Sequence, residues 1–196
     1  VEESYRKDLS HTTWAKVFAR QEQRAEQAKE WLDALALEPG GRVLDVGSGP
    51  GYVSLLAAER VGRTGVVYAV DRSADALTFL EQVQLGRGVP QIRRILADAR
   101  TMAPVAEPPT AALVTMMLHH TDDAEDLVRN VGGLLAPGVR VVVAEFHPEG
   151  PCEYGAPREH RVRPETVRGW CEGAGLKFLE YGRQTPEHYM LLLERI

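Results

Sequence analysis

The sequence predicts an α/β fold: a mostly parallel sheet with helices covering both faces. Three observations predict it. From Arg42 onward, short β-rich runs alternate with longer helical stretches. The runs Val66-Val-Tyr-Ala-Val70 and Val139-Arg-Val-Val-Val-Ala144 are nearly continuous in apolar residues, as strands buried on both faces are. The last two strand candidates are joined only by Arg183-Gln-Thr-Pro-Glu187. That link is too short for a crossover helix, so the final strand runs antiparallel to its neighbour.

Residues 1–38 contain no glycine or proline and read as helical. Trp14, Val17, Phe18 and Ala25 fall at near-helical spacing, as do Ala28, Trp31, Leu32 and Leu35. Pro39-Gly-Gly41 ends that segment. Strands are predicted at 42–46, 66–70, 92–96, 111–117 and 139–145, and helices at 51–61, 73–85 and 122–135. Gly62-Arg-Thr-Gly65, Gly86-Arg-Gly-Val-Pro90 and Pro137-Gly138 punctuate the joins. A polar, proline-rich stretch from His147 to Pro164 follows. A helix at 165–174, stopped by Gly173-Ala-Gly175, then leads into strands at 176–182 and 188–194.

A length of 196 residues favours one domain. Such a chain buries about 70% of its unfolded surface and needs no disulfide or metal staple. Residues 39–196 form the expected cofactor-binding domain, with 1–38 as a helical lid belonging to it. Packing on the sheet edge, or a homodimer contact, is the other reading of 1–38. The net charge of −5, without a basic stripe, argues against a nucleic-acid partner. No apolar run reaches the roughly 18 residues of a membrane span, and the first residues lack the apolar core of a signal peptide. Cys152 and Cys171 form no CxxC pair. They read as reduced thiols of a cytoplasmic protein, with no metal site.

The chemistry concentrates in Val43-Leu-Asp-Val-Gly-Ser-Gly-Pro-Gly51. Gly47, Gly49 and Gly51 let the backbone turn sharply against a ligand. The helix that follows points unpaired N–H groups and a partial positive charge at the same place. Asp45, inside the strand end, is out of keeping with a phosphate site and suits a partly cationic cofactor that carries its own carboxylate. A nicotinamide dinucleotide site also uses a glycine turn. Here Tyr52 stands where its third glycine would be, which disfavours a nicotinamide-dependent oxidoreductase. Asp71 ends the second strand, where a carboxylate can accept both ribose hydroxyls; it can also cap a helix, as Ser73 can. Asp98 follows the third strand and suits an exocyclic amine. Three carboxylates thus fall at three successive strand ends, the edge where open α/β sheets bind ligands.

These motifs, with Val67-Tyr-Ala-Val-Asp-Arg72, Ala97-Asp-Ala99, Met116-Met-Leu-His-His120 and Leu134-Leu-Ala-Pro-Gly-Val-Arg-Val-Val-Val143, resemble the class I, Rossmann-like S-adenosylmethionine-dependent methyltransferases over roughly residues 40–195. The resemblance implies a seven-stranded sheet of order 3-2-1-4-5-7-6 with strand 7 antiparallel. It implies S-adenosyl-L-methionine as cofactor and S-adenosyl-L-homocysteine as product. Gly47, Ser48, Gly49 and Gly51 would wrap the methionine part, and Asp45 would face its amino group. Asp71 would hold the ribose, Arg72 would flank the adenine, and Asp98 with Ala99 would define its edge. Met116, Met117 and Leu118 would wall the sulfonium. The stretch Leu118-His-His-Thr-Asp-Asp-Ala, with Glu145-Phe-His-Pro and Gly155-Ala-Pro-Arg-Glu-His-Arg161, is similar to small bacterial enzymes of the ubiquinone/menaquinone and arsenite group. The closely spaced cysteines of arsenite chemistry are missing.

A small, mostly apolar acceptor is therefore expected, methylated by in-line displacement. His120 and His147 are the candidate bases or orienting groups, since histidine titrates near neutral pH. Trp14, Phe18, His119, Tyr154 and His160 are candidate acceptor contacts, with Tyr5 and His11 in the lid. A non-catalytic protein that binds the same cofactor is the alternative from a different class.

Overall fold

The computed structural model describes residues 6, 7, 9, 10, 12–153 and 155–196. Tyr5, His11 and Tyr154 lie outside them. The sheet has seven strands in the order β3-β2-β1-β4-β5-β7-β6. These are β1 (Arg42–Val46), β2 (Val66–Asp71), β3 (Ile92–Leu96), β4 (Ala111–Thr115), β5 (Arg140–Phe146), β6 (Leu176–Arg183) and β7 (His188–Arg195). The first five pair in parallel, and β7 is antiparallel to both β5 and β6.

Strand alternation sends neighbouring residues to opposite faces. Leu44, Val46, Tyr68 and Val70 pack under α5 (Ala124–Gly133) and α6 (Pro164–Gly173), together with Leu127, Val131 and Val167. Val43, Val67 and Ala69 pack on the other face against α2 (Ala25–Ala34), α3 (Tyr52–Val61) and α4 (Ala74–Arg87). Caps set the helix starts. The Ser73 hydroxyl accepts the Ala76 N–H at 3.2 Å, and Pro164 opens α6, where a missing N–H costs little. Gly51 opens α3 at φ +87°, and a Cβ there would lie 2.3 Å from Leu80 of α4. This glycine thus lets α3 and α4 close together.

The continuous helix expected over 1–38 divides in two. α1 covers Trp14–Glu22 and α2 covers Ala25–Ala34, with a break at Gln23–Arg24. The Thr13 side chain caps α1, so the described residues before it lie outside the helix. Phe18 lies one turn beyond Trp14 on α1 and is buried. It packs edge-on against Tyr52 at 5.6 Å and beside Phe79 at 5.7 Å. α2 is anchored by the buried Trp31, whose indole N–H donates to Gln184 at 2.6 Å. The fourth strand ends at Thr115, two residues short of expectation, because Met116 turns at φ +55°. A single 3₁₀ turn, Leu118–His120, follows, and α5 starts only at Ala124.

Candidate active site

One cavity of about 760 Å³ runs along the carboxyl edge of the sheet beneath α1 and the α1–α2 junction. The strand order divides it. The tips of β1, β2 and β3 bring Gly47, Gly49, Asp71, Arg72, Asp98 and Ala99 to one half. The tips of β4, β5 and β7 bring Met116, Met117, His119, His120, Phe146 and His188 to the other.

In the first half, Gly47 and Gly49 adopt φ of +70° and +55°. A Cβ on Gly47 would come within 2.9 Å of the Met117 side chain. Asp71 stiffens the turn. One oxygen accepts the Gly49 N–H at 2.8 Å and the other the Ser73 N–H at 2.8 Å. Burial holds its carboxyl above the ordinary value, opposed by those two N–H bonds. Asp98 is forked by Arg100, whose Nη2 lies 2.6 Å away. Hydrogen bonds from Arg100 hold its carboxyl below the ordinary range. Gln21 of α1 closes this half from above, its side-chain oxygen accepting the Tyr52 N–H at 3.1 Å.

Asp45, Ser48 and Gly51 stand behind the wall and do not line the cavity. Asp45 is 1% exposed and accepts the Ser54 hydroxyl at 2.5 Å. Burial raises its carboxyl to about 6, against the Ser54 bond and with a like-charge contribution from Asp71. A carboxyl whose folded value exceeds its unfolded value binds its proton more tightly in the fold. Its contribution to stability is therefore fullest below about pH 4, declines between pH 4 and 6, and stays low above. The decline amounts to at most about 3 kcal/mol. Asp45→Asn is expected to remove it, narrowing the stability difference between pH 4.5 and 7 in urea unfolding of the ligand-free protein. An unchanged pH profile would show that Asp45 is ionised without cost.

In the second half, His119 is buried beside the cavity and its Nδ1 lies 2.6 Å from Glu145 Oε2. Glu145, 0% exposed, also accepts the backbone N–H groups of Leu118 at 2.6 Å and Phe146 at 3.1 Å. Burial would push this carboxyl up. The attraction of His119 and those N–H groups outweighs it and holds the carboxyl below its ordinary value. An ionised Glu145 puts the imidazole proton on Nδ1, which makes Nε2 the basic nitrogen. His120 lines the same half, its Nδ1 2.9 Å from the Lys7 carbonyl oxygen.

Not every expected residue reaches the cavity. Trp14, His119, His120 and Met116 do; Phe18, His147 and His160 do not. His147 points the other way from Phe146, edge-on to Tyr189 at 5.9 Å, with its Nδ1 accepting the Glu149 N–H. His160 sits in a short 3₁₀ turn beyond the wall. Tyr154 lies outside the described residues. Gln21, Arg24, Phe146 and His188 line the cavity unanticipated. The helical spacing of Trp14, Val17, Gln21 and Arg24 was the available signal for two of them.

A sheet of this order with a reversed seventh strand, a glycine turn after β1 and carboxylates at the next two strand tips defines the class I S-adenosylmethionine-dependent methyltransferase fold. A family model described as a methyltransferase domain matches residues 20–181, and the chain belongs to that family. It is 31% identical over 123 residues to a 2-phytyl-1,4-naphtoquinone methyltransferase of Nostoc punctiforme, covering 62% of this chain and 52% of that protein. The chain thus spans about half the length of that curated relative. A ubiquinone biosynthesis O-methyltransferase of Cupriavidus pinatubonensis is 26% identical, covering 85% of this chain and 78% of its own. Among solved structures, a SAM-dependent methyltransferase from Aquifex aeolicus superposes with a TM-score of 0.83 at 16% identity, covering 94% of this chain and 100% of the other.

S-adenosylmethionine is the cofactor of this class, and the residues present fit it. The turn has no room for side chains at Gly47. The Ser48 hydroxyl, within the turn, is buried without a hydrogen-bond partner among the described residues. Asp71 offers carboxylate oxygens at the cavity wall.

Proposed function

We propose that the chain transfers a methyl group from S-adenosylmethionine to a small-molecule acceptor by in-line displacement. The observation that carries this is the continuity of the cavity. One space joins the glycine turn and Asp71 to the His119–Glu145 pair. Its size falls within the ~300–1,000 Å³ of small-molecule sites. The relatives named for naphthoquinone methylation and for ubiquinone biosynthesis support a small acceptor, as does the net charge of −5, which disfavours nucleic acid. The N-terminal helices would act as a lid of the same domain. Cys152 and Cys171, both free thiols, suit the cytoplasm.

In this reading Gly47 and Gly49 hold the methionine part at the cavity wall, with Ser48 and Asp45 behind them toward its amino group and Gly51 closing the turn onto α4. Asp71 receives the ribose hydroxyls, Arg72 flanks the adenine, and Asp98 with Ala99 borders it. When bound, S-adenosylmethionine supplies an electrophilic methyl carbon on a sulfonium. The chain's own residues align, desolvate and accept a proton. Alignment alone can be worth an effective molarity of roughly 10⁵ M or more. Met116 and Met117 make the wall between the halves apolar, which disfavours a charged reactant relative to a transition state that is losing its charge. His119 Nε2 accepts the acceptor's proton when the nucleophile carries one, and Glu145 fixes the tautomer and balances the imidazolium.

Calorimetric titration with S-adenosylhomocysteine and with NAD tests the reading. S-adenosylhomocysteine should bind and NAD should not; the reverse would make the chain an oxidoreductase. Asp71→Ala should weaken S-adenosylhomocysteine binding roughly ten- to 150-fold, the worth of a charge-assisted hydrogen bond. Wild-type affinity in a folded variant would remove the ribose role.

A further inference from the structure

The backbone N–H groups of the glycine turn are already committed inside the protein. Gly47 and Ser48 both donate to the Val70 carbonyl oxygen, at 2.8 and 3.0 Å. Gly49 donates to Asp71 at 2.8 Å, and Gly51 to the Ser48 carbonyl oxygen at 3.0 Å. Pro50 has no N–H. Tyr52, the first residue of α3, donates to the Gln21 side-chain oxygen at 3.1 Å. A carboxylate lying over Gly47–Tyr52 therefore takes its hydrogen bonds from side chains, since each backbone donor there has a partner.

The side chain that reaches over this turn is Gln21. Trp14, Val17 and Gln21 line the cavity from one face of α1. Gln21 Nε2 lies 3.5 Å from the place a Gly49 Cβ would take, so the amide crosses the part of the turn that carries no side chain. An amide nitrogen has two N–H donors. Its acceptor among the described residues is the Ser48 carbonyl oxygen, at a long 3.5 Å, and that oxygen already accepts the Gly51 N–H. The oxygen end of the amide is thus fixed by Tyr52, while the nitrogen end is loosely held above Gly49.

We infer that Gln21 is a cofactor-binding residue: its side-chain N–H donates to the carboxylate of the methyl donor while its oxygen keeps the Tyr52 N–H. The inference rests on the methyltransferase reading and adds a residue of α1 to the donor site. Phe18, packed against Tyr52 and Phe79, docks the same helix on α3 and α4. The amino-acid end of the donor thereby fastens a helix whose Trp14 and Val17 also roof the cavity. Arg20 and Arg24 line the cavity from the same roof and are the rival partners for a carboxylate.

The test is calorimetry on the full chain with two ligands. One is S-adenosylhomocysteine; the other is 5′-methylthioadenosine, the same nucleoside thioether without the amino-acid end. Gln21→Ala should weaken S-adenosylhomocysteine at least about ten-fold, the worth of an N–H donated to a charged group. It should leave 5′-methylthioadenosine at its wild-type affinity. Gln21→Glu keeps an acceptor for the Tyr52 N–H but sets a second carboxylate beside the ligand's own. It should weaken S-adenosylhomocysteine more than Gln21→Ala does, again without effect on 5′-methylthioadenosine. Arg20→Ala and Arg24→Ala should each change the ratio of the two affinities less than Gln21→Ala does. If Gln21→Ala leaves that ratio at its wild-type value, or weakens both ligands equally, the inference is overturned; the second result marks a residue that only docks α1. Failure of S-adenosylhomocysteine to bind the wild type is a separate outcome: it overturns the cofactor reading, and the inference with it.

Discussion

His119→Ala is expected to slow methyl transfer by about 10²–10⁴-fold, the usual worth of a positioned general base, while S-adenosylhomocysteine affinity stays at its wild-type value. The geometry behind this is the 2.6 Å contact of His119 Nδ1 with Glu145, in a residue that lines the cavity; the contact makes Nε2 the basic nitrogen of the ring. A loss confined to kcat marks a group that acts in the transition state; a matching rise in KM or loss of cofactor binding marks a structural one. His120→Ala is the internal comparison, since its ring also lines the cavity but contacts the Lys7 carbonyl oxygen instead of a carboxylate. A larger loss in that variant would move the base to His120. Turnover unchanged in both would mean that the acceptor arrives already deprotonated.

Glu145→Ala is expected to cost about 3–5 kcal/mol of folding stability, because it breaks a buried pair and strands its partners. Those partners are the His119 ring and the backbone N–H groups of Leu118 and Phe146. They join the turn after β4 to the end of β5, so the loss reaches the frame of the second half-site. Glu145→Gln keeps an acceptor oxygen but can offer an N–H to His119 Nδ1, which favours the wrong tautomer. Its expected signature is a smaller loss of stability with turnover close to that of His119→Ala. Denaturant unfolding and steady-state kinetics on the two variants separate these effects. Equal stability in Glu145→Ala and the wild type would show that the pair is not formed.

The cofactor half was legible because its signals are local. A glycine turn after an apolar strand, and carboxylates at the next two strand ends, need only chain order and the rule that ligands sit at the carboxyl edge. Gly47, Gly49, Asp71 and Asp98 accordingly reach the cavity. Even there, locality failed for Asp45 and Gly51. The strand's alternation turns Asp45 back toward Ser54, and Gly51 is demanded by Leu80 of α4. No spacing in the chain announces either contact.

The acceptor half was legible mainly as a list of histidines, and the list was partly misplaced. Phe146 and His147 are adjacent, so one must face the cavity and the other the far side of the sheet. Only the pairing of β5 with β7 decides which. That register sets Phe146 opposite His188 and brings an unsuspected imidazole to the wall. Phe18 and Arg24 show the same limit in the N-terminal helices. Helical period sets Phe18 one turn from Trp14, but which of the two meets α3 and α4 and which lines the cavity depends on how the helix docks.

By itself, then, the sequence determined the sheet, its reversed last strand, the glycine turn and the carboxylates that mark the methyl donor, because periodicity and turn chemistry act over a few residues. The tertiary structure alone decided that His119 is the histidine held by a buried carboxylate. It alone decided that Phe18 and His147 turn away from the cavity and that Arg24 and His188 turn toward it. Those choices depend on strand register and helix docking, which bring Phe146 to His188 and Arg24 to Phe146, groups far apart along the chain.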